Sequence, residues 1–191
     1  MREKEASTGL FSKKAEPLAL PSPWFTWHLH LFRPGTTVLD LASGGGRHAV
    51  LAAERGSQVT AVDADTERLK ALEREASRRR LAVKSVVADL ATYDIPARAF
   101  DIVMIFNYLD RERMAAFREA VRPGGHLLVE TFLVAQRDQG WGPESDDHLL
   151  EPGEILRLAG SFDVVLAREV LEVIDGRPAA VGSLLARRPA E

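Results

Sequence analysis

Val38-Leu39-Asp40-Leu41-Ala42-Ser43-Gly44-Gly45-Gly46-Arg47-His48-Ala49 is the stretch that decides how the chain folds. It starts in an apolar run rich in β-branched residues (36–42), crosses three consecutive glycines and continues into a helical pattern (47–55) stopped by Gly56. A strand, a glycine turn and a helix in that order form the opening unit of a doubly wound α/β sheet. Ligands of such sheets sit over the carboxyl ends of the strands, beside this turn. Glycines there let the backbone approach a ligand closely, and the helix N-terminus offers free N–H groups and a partial positive charge.

Outward from this unit, strand and helix signals alternate. Residues 58–64 read as a second strand, and 66–80 as an amphipathic helix capped by Asp65 or Thr66. A third strand follows over 82–90 and a fourth over 100–107. The pattern then predicts a helix over 111–121, a tight turn at Arg122-Pro123-Gly124-Gly125, and a fifth strand over 126–134. A polar stretch over 136–150 is long enough to be a functional loop. A short helix from Pro152 to Gly160 leads into two strands, 163–173 and 179–187, around Asp175-Gly176. Near-continuous apolar strands are buried on both faces, hence parallel, with right-handed crossovers. The expected fold is α/β, with five β/α units in a doubly wound, mostly parallel seven-stranded sheet that ends in an antiparallel hairpin.

Ahead of the sheet, residues 1–15 read as a polar, mobile tail and 16–191 as a single domain. Trp24, Phe25, Leu29 and Phe32 predict a short helix after Pro23. The chain has 191 residues and a net charge of −3 with no cysteine, which excludes disulfides, cysteine-ligated metals and a thiol nucleophile. No apolar run approaches the roughly 20 residues of a membrane span, and the charged N-terminus lacks a signal peptide's apolar segment. These features predict a cytoplasmic protein, a monomer or homodimer, with no nucleic-acid or membrane partner. His28 and His30 lack a neighbouring carboxylate, which argues against a metal site.

Three aspartates sharpen the reading. Asp63 ends the second strand, where a carboxylate can accept from both hydroxyls of an adenosine ribose; its alternative is to cap the next helix. Asp40 sits inside the first strand, where dinucleotide-binding folds carry an apolar residue. It can organise the loop and accept from a ligand ammonium, or be a buried acid held only by loop N–H groups. Asp89 ends the third strand, placed either to accept from an adenine amine or simply to start a loop. Gly44, Gly46 and Ala49 also match the GxGxxA dinucleotide fingerprint, which keeps an NAD(P)-dependent oxidoreductase open.

With these residues in place, the chain resembles the class I S-adenosylmethionine-dependent methyltransferases. VLDLASGGGRHA is similar to their first motif, VTAVDAD to the second, VVADL to the third, FDIVMIFNYL to the fourth, and VRPGGHLLVETF to the turn and strand that follow. Within that superfamily, YLDRERMAAFREAVRPGGHLLVETF and GWGPESDDHLLEPGEI resemble the small tellurite-resistance-type enzymes. Ala42 departs from the pattern, standing where a first glycine is usual.

The resemblance implies an S-adenosylmethionine site built from Asp40, Ala42, Ser43, Gly44, Gly46, Arg47, Asp63, Ala64, Asp89, Leu90, Asn107 and Tyr108. Gly44 and Gly46 would pack against the methionine and ribose portions. Asp63 would hold the ribose, Asp89 and the Leu90 N–H the adenine, and Asn107 and Tyr108 would lie under the sulfonium methyl. Arg47 would meet the methionine carboxylate, or else be an exposed first-turn residue. The implied reaction is methyl transfer to a small-molecule acceptor by in-line displacement that relies mainly on orientation. An RNA or protein acceptor is the alternative. Tyr108, Asp110, Arg111, Glu130 and His148 lie near the expected acceptor pocket, and none is assigned as a base. Trp24, Trp27 and Trp141 either close over the cofactor or pack on the sheet.

Overall fold

Thr37–Leu41 forms β1, the central strand of a seven-stranded sheet in the computed structural model, which describes residues 20–190. The predicted tail over 1–15 lies outside the described residues. The other strands are β2 (Gln58–Asp63), β3 (Val83–Val87), β4 (Phe100–Phe106), β5 (Val121–Phe132), β6 (Asp163–Ile174) and β7 (Arg177–Arg187). Their spatial order is β3-β2-β1-β4-β5-β7-β6. Pairings from β3 through β5 are parallel, and β7 runs antiparallel to both β5 and β6. The chain therefore reverses direction across the sheet between β1 and β4, which is where the ends of these strands leave a crevice.

Alternation along the strands sorts the core into two layers. On β4, Ile102, Met104 and Phe106 face one side with Trp24, Phe25, Ala49 and Leu72, while Val103 and Ile105 face the other with Met114, Phe117 and Ile155. The first layer carries α1 (Pro23–Trp27), α2 (Arg47–Glu54) and α3 (Thr66–Arg79); the second carries α4 (Met114–Glu119) and α5 (Glu154–Arg157). Asp65 caps α3 as expected, accepting from the Glu67 and Arg68 N–H groups.

Three expectations change. No helix joins β3 to β4: residues 88–99 run as turns and coil, so one of the five β/α units lacks its helix. The segment is short and carries Pro96, whose ring has no N–H to give a helix. The helix over 111–121 contracts to α4, because Asp110 accepts from the Arg113 N–H ahead of it and Val121 pairs with Phe100 as the first residue of β5. That strand thus begins before the predicted Gly-Gly turn. At Gly125 an added Cβ would lie 2.7 Å from the Asp101 carbonyl oxygen, so only glycine lets β5 come this close to β4.

Candidate cofactor site

A cavity of about 390 Å³ opens over the carboxyl ends of β1, β2 and β4, lined by the loop 42–45, the first turn of α2, Asp40, Asp63, Arg68, Phe106 and Asn107. Each lining residue is there for a backbone reason. Ala42 and Gly44 both hold positive φ, 55° and 54°, which turns the chain sharply off β1. Asn107 does the same at the end of β4, with φ 57° and its N–H bonded to the Glu130 carbonyl. A left-handed asparagine at the mouth of a cavity is a typical place for local backbone strain to serve a ligand.

Asp63 closes the loop. Its Oδ2 accepts from the Gly44 N–H at 2.7 Å and its Oδ1 from the Asp65 N–H at 2.8 Å. Each carboxylate oxygen still has a lone pair for a further donor. Asp40 is 2% exposed, and burial pushes its carboxyl up to about 8; Arg47 opposes the shift and Asp63 adds to it. Its Oδ2 is buried without a hydrogen-bond partner, and so is the hydroxyl of Ser43. Unpaired buried polar atoms cost free energy, and these two belong to residues that line one cavity.

The cavity brings together Asp40, Ala42, Ser43, Gly44, Arg47, Asp63 and Asn107 from the predicted set, and leaves out the other five. Gly46 instead packs beneath α3, where an added Cβ would meet Leu72 Cδ1 at 2.4 Å. Ala64 and Asp89 are exposed beyond the strand ends, and the Asp89 Oδ1 accepts from the Ala91 N–H at 2.9 Å. Leu90 is buried in the opposite core layer, and Tyr108 directs its hydroxyl to Asp110 at 3.4 Å.

Arg47 is partnered within the chain. It bonds the Leu20 carbonyl at 3.1 Å and Asp175 at 2.9 Å, drawing the N-terminal segment and the tip of the β6–β7 hairpin to the cavity wall. Among the acceptor-side candidates, Asp110 caps the turn before α4, while Arg111 bonds Glu154 and the carbonyls of the 146–149 turn. His148 is exposed. The Glu130 carboxyl bonds the side chains of Ser22, Ser183 and Arg168. Trp141 packs on Phe132 and bonds the Pro178 carbonyl, away from the cavity, and Trp24 is buried on the sheet.

Gly45, His48, Arg68 and Phe106 also line the cavity. Gly45 lies within the glycine run, and Phe106 ends the strand that Asn107 follows, so both were within reach of the motif. His48 and Arg68 depend on how α2 and α3 pack.

The methyltransferase domain family matches residues 38–125. In this domain match and in its strand order, the chain is similar to the S-adenosylmethionine-dependent methyltransferases. The crystal structure of TehB from Haemophilus influenzae superposes with a TM-score of 0.73 at 18% identity, over 86% of this chain and 61% of that one. Ribosomal protein L11 methyltransferase of Burkholderia thailandensis is 34% identical over 117 residues, 59% of this chain and 37% of the relative. Ubiquinone biosynthesis O-methyltransferase of Idiomarina loihiensis is 28% identical over 145 residues, 65% of this chain and 59% of the relative. The chain thus spans less than two thirds of either curated relative. Among the described residues, no helix is long and apolar enough to cross a membrane.

Proposed function

We propose that the cavity binds S-adenosylmethionine and that the chain transfers its methyl group to a small-molecule acceptor. The observation that carries the cofactor half is the pair of unpartnered polar atoms, Asp40 Oδ2 and Ser43 Oγ, on the wall that Asp63 also lines. A carboxyl suits an ammonium and a hydroxyl can donate to a carboxylate, so the two together fit the zwitterionic end of the cofactor. Asp63, with lone pairs to spare, would take the ribose hydroxyls. When bound, S-adenosylmethionine would supply an activated methyl group on a sulfonium, with S-adenosylhomocysteine as the product.

The chain's own task is orientation. Phe106 and Asn107 would wall the side from which an acceptor comes, and Asp40 and Asp63 would fix the two ends of the cofactor. A soft anionic acceptor needs no base, and no side chain on the wall is assigned one.

Two features favour a small acceptor. Arg47 ties segments from near both ends of the described chain to the cavity wall, which suits a small opening. At the basic end of α3, Arg78 pairs with Glu75, and Arg79 with Glu54 and Glu75, which offsets part of the charge a phosphate backbone would meet. The test is turnover of S-adenosylmethionine with thiols, selenite, tellurite and small amines, against ribosomal protein and RNA fractions. Methylation of at least one small compound is expected; methylation confined to the ribosomal fractions would overturn the small-acceptor reading.

A further inference from the structure

His48, in the first turn of α2, lines the cavity; it lies within the glycine motif, but the sequence assigned it no role. Its ring is held between aromatic neighbours, with centroids 4.0 Å from Phe106 and 4.9 Å from Phe25. Its Nε2 accepts the backbone N–H of Ser22 at 3.1 Å, across 26 residues of sequence. Nε2 therefore presents a lone pair, and in a neutral imidazole the hydrogen must sit on Nδ1. Burial, with Arg47 adjacent, keeps the ring neutral by holding its pKa well below the ordinary histidine value. Nδ1 has no hydrogen-bond partner among the described residues.

Ser22 is itself held firmly. It is fully buried, its hydroxyl donates to Glu130 Oε1, and its own Oγ accepts from the Phe25 N–H to cap α1. The Ser22 amide is thereby aimed at His48 by contacts to α1 and β5. Arg47, a cation beside His48 on the cavity wall, is already paired with Asp175.

We propose that His48 is a positioning residue whose Nδ1–H donates to the carboxylate at the amino-acid end of the bound cofactor, and that Ser22 fixes the imidazole tautomer that makes this possible. The inference rests on the cofactor reading above and adds a residue and a mechanism to it. Docking of the segment around Ser22 prepares the donor before any ligand arrives, which lowers the ordering cost of binding.

The test compares S-adenosylhomocysteine with 5′-methylthioadenosine, which keeps the adenosine and thioether but lacks the amino-acid end. Titration calorimetry on the full chain should show His48→Phe weakening S-adenosylhomocysteine about tenfold or more while leaving methylthioadenosine within about twofold. His48→Asn, which keeps an N–H close to the Nδ1 position, should recover most of the loss. Nitrogen-15 NMR of the imidazole should report the Nδ1–H tautomer in the unliganded chain. Ser22→Ala, which keeps the amide N–H, should preserve that tautomer; Ser22→Pro, which removes it at a φ of −57° that proline tolerates, should not. Equal weakening of both ligands by His48→Phe, or no weakening of either, overturns the inference, as does an Nε2–H tautomer in the wild-type chain. A wild-type chain that binds neither ligand would sink the cofactor reading itself.

Discussion

Asp40 gives up stability for position. The buried carboxyl titrates at about 8 in the folded chain against 3.8 as its ordinary value. Between those two pH values the folded state holds a proton that the unfolded state has released, so stability falls as pH rises through the window and the full cost stands above it. Asp40→Asn removes the ionisation. It should raise the stability of the ligand-free chain by roughly 5 kcal/mol at pH 8.5 relative to its effect at pH 4, measured by urea unfolding. The same variant should bind S-adenosylhomocysteine about tenfold or more weakly. A stability effect that does not differ between the two pH values would mean that Asp40 carries no such cost. Ala42 tells a related story at the next turn. Its φ of 55° is left-handed, where an alanine costs roughly 1–2 kcal/mol, partly offset by glycine's larger entropy loss on folding. Ala42→Gly should therefore stabilise by about 0.5–1 kcal/mol, and a destabilised glycine variant would show that the alanine methyl makes contacts worth more than the strain.

At the scale of elements, the three consecutive glycines divide their labour. Gly44 and Gly45 line the cavity, while Gly46 holds positive φ directly under Leu72, so that α2 and α3 pack closely. Gly46→Ala should destabilise the fold by about 1–3 kcal/mol in thermal or urea unfolding, and an unchanged midpoint would remove the packing argument. In the sequence these glycines are indistinguishable; only the position of α3 separates them. What was legible had a local cause. β-Branched apolar runs gave the strands, Asp65 and Gly56 gave the helix ends, and Asp40 stood out because a carboxylate is out of place in a buried strand. What was not legible depends on distant partners. Ser22 meets Glu130 across 108 residues and Arg47 meets Asp175 across 128, and neither contact leaves a periodic trace. The contracted α4 follows the same rule, since Val121 has helical neighbours in sequence but a strand partner in space.

For the whole molecule, the sheet order, the match over residues 38–125 and the unpartnered polar atoms converge on one cavity at the ends of β1, β2 and β4. The GxGxxA fingerprint that kept a nicotinamide cofactor open finds no support there. Position 40 of β1, apolar in dinucleotide-binding folds, carries Asp40, and Gly46 is turned to α3. The most direct test is thermal unfolding of the full chain with S-adenosylhomocysteine and with NADH, each at about 100 times the dissociation constant measured for the former. Binding at that excess adds roughly 2.7 kcal/mol, which for a chain of this size lifts the midpoint by roughly 5–11 °C. That rise is expected with S-adenosylhomocysteine and none with NADH. A rise with NADH alone, or with neither, would contradict the cofactor reading.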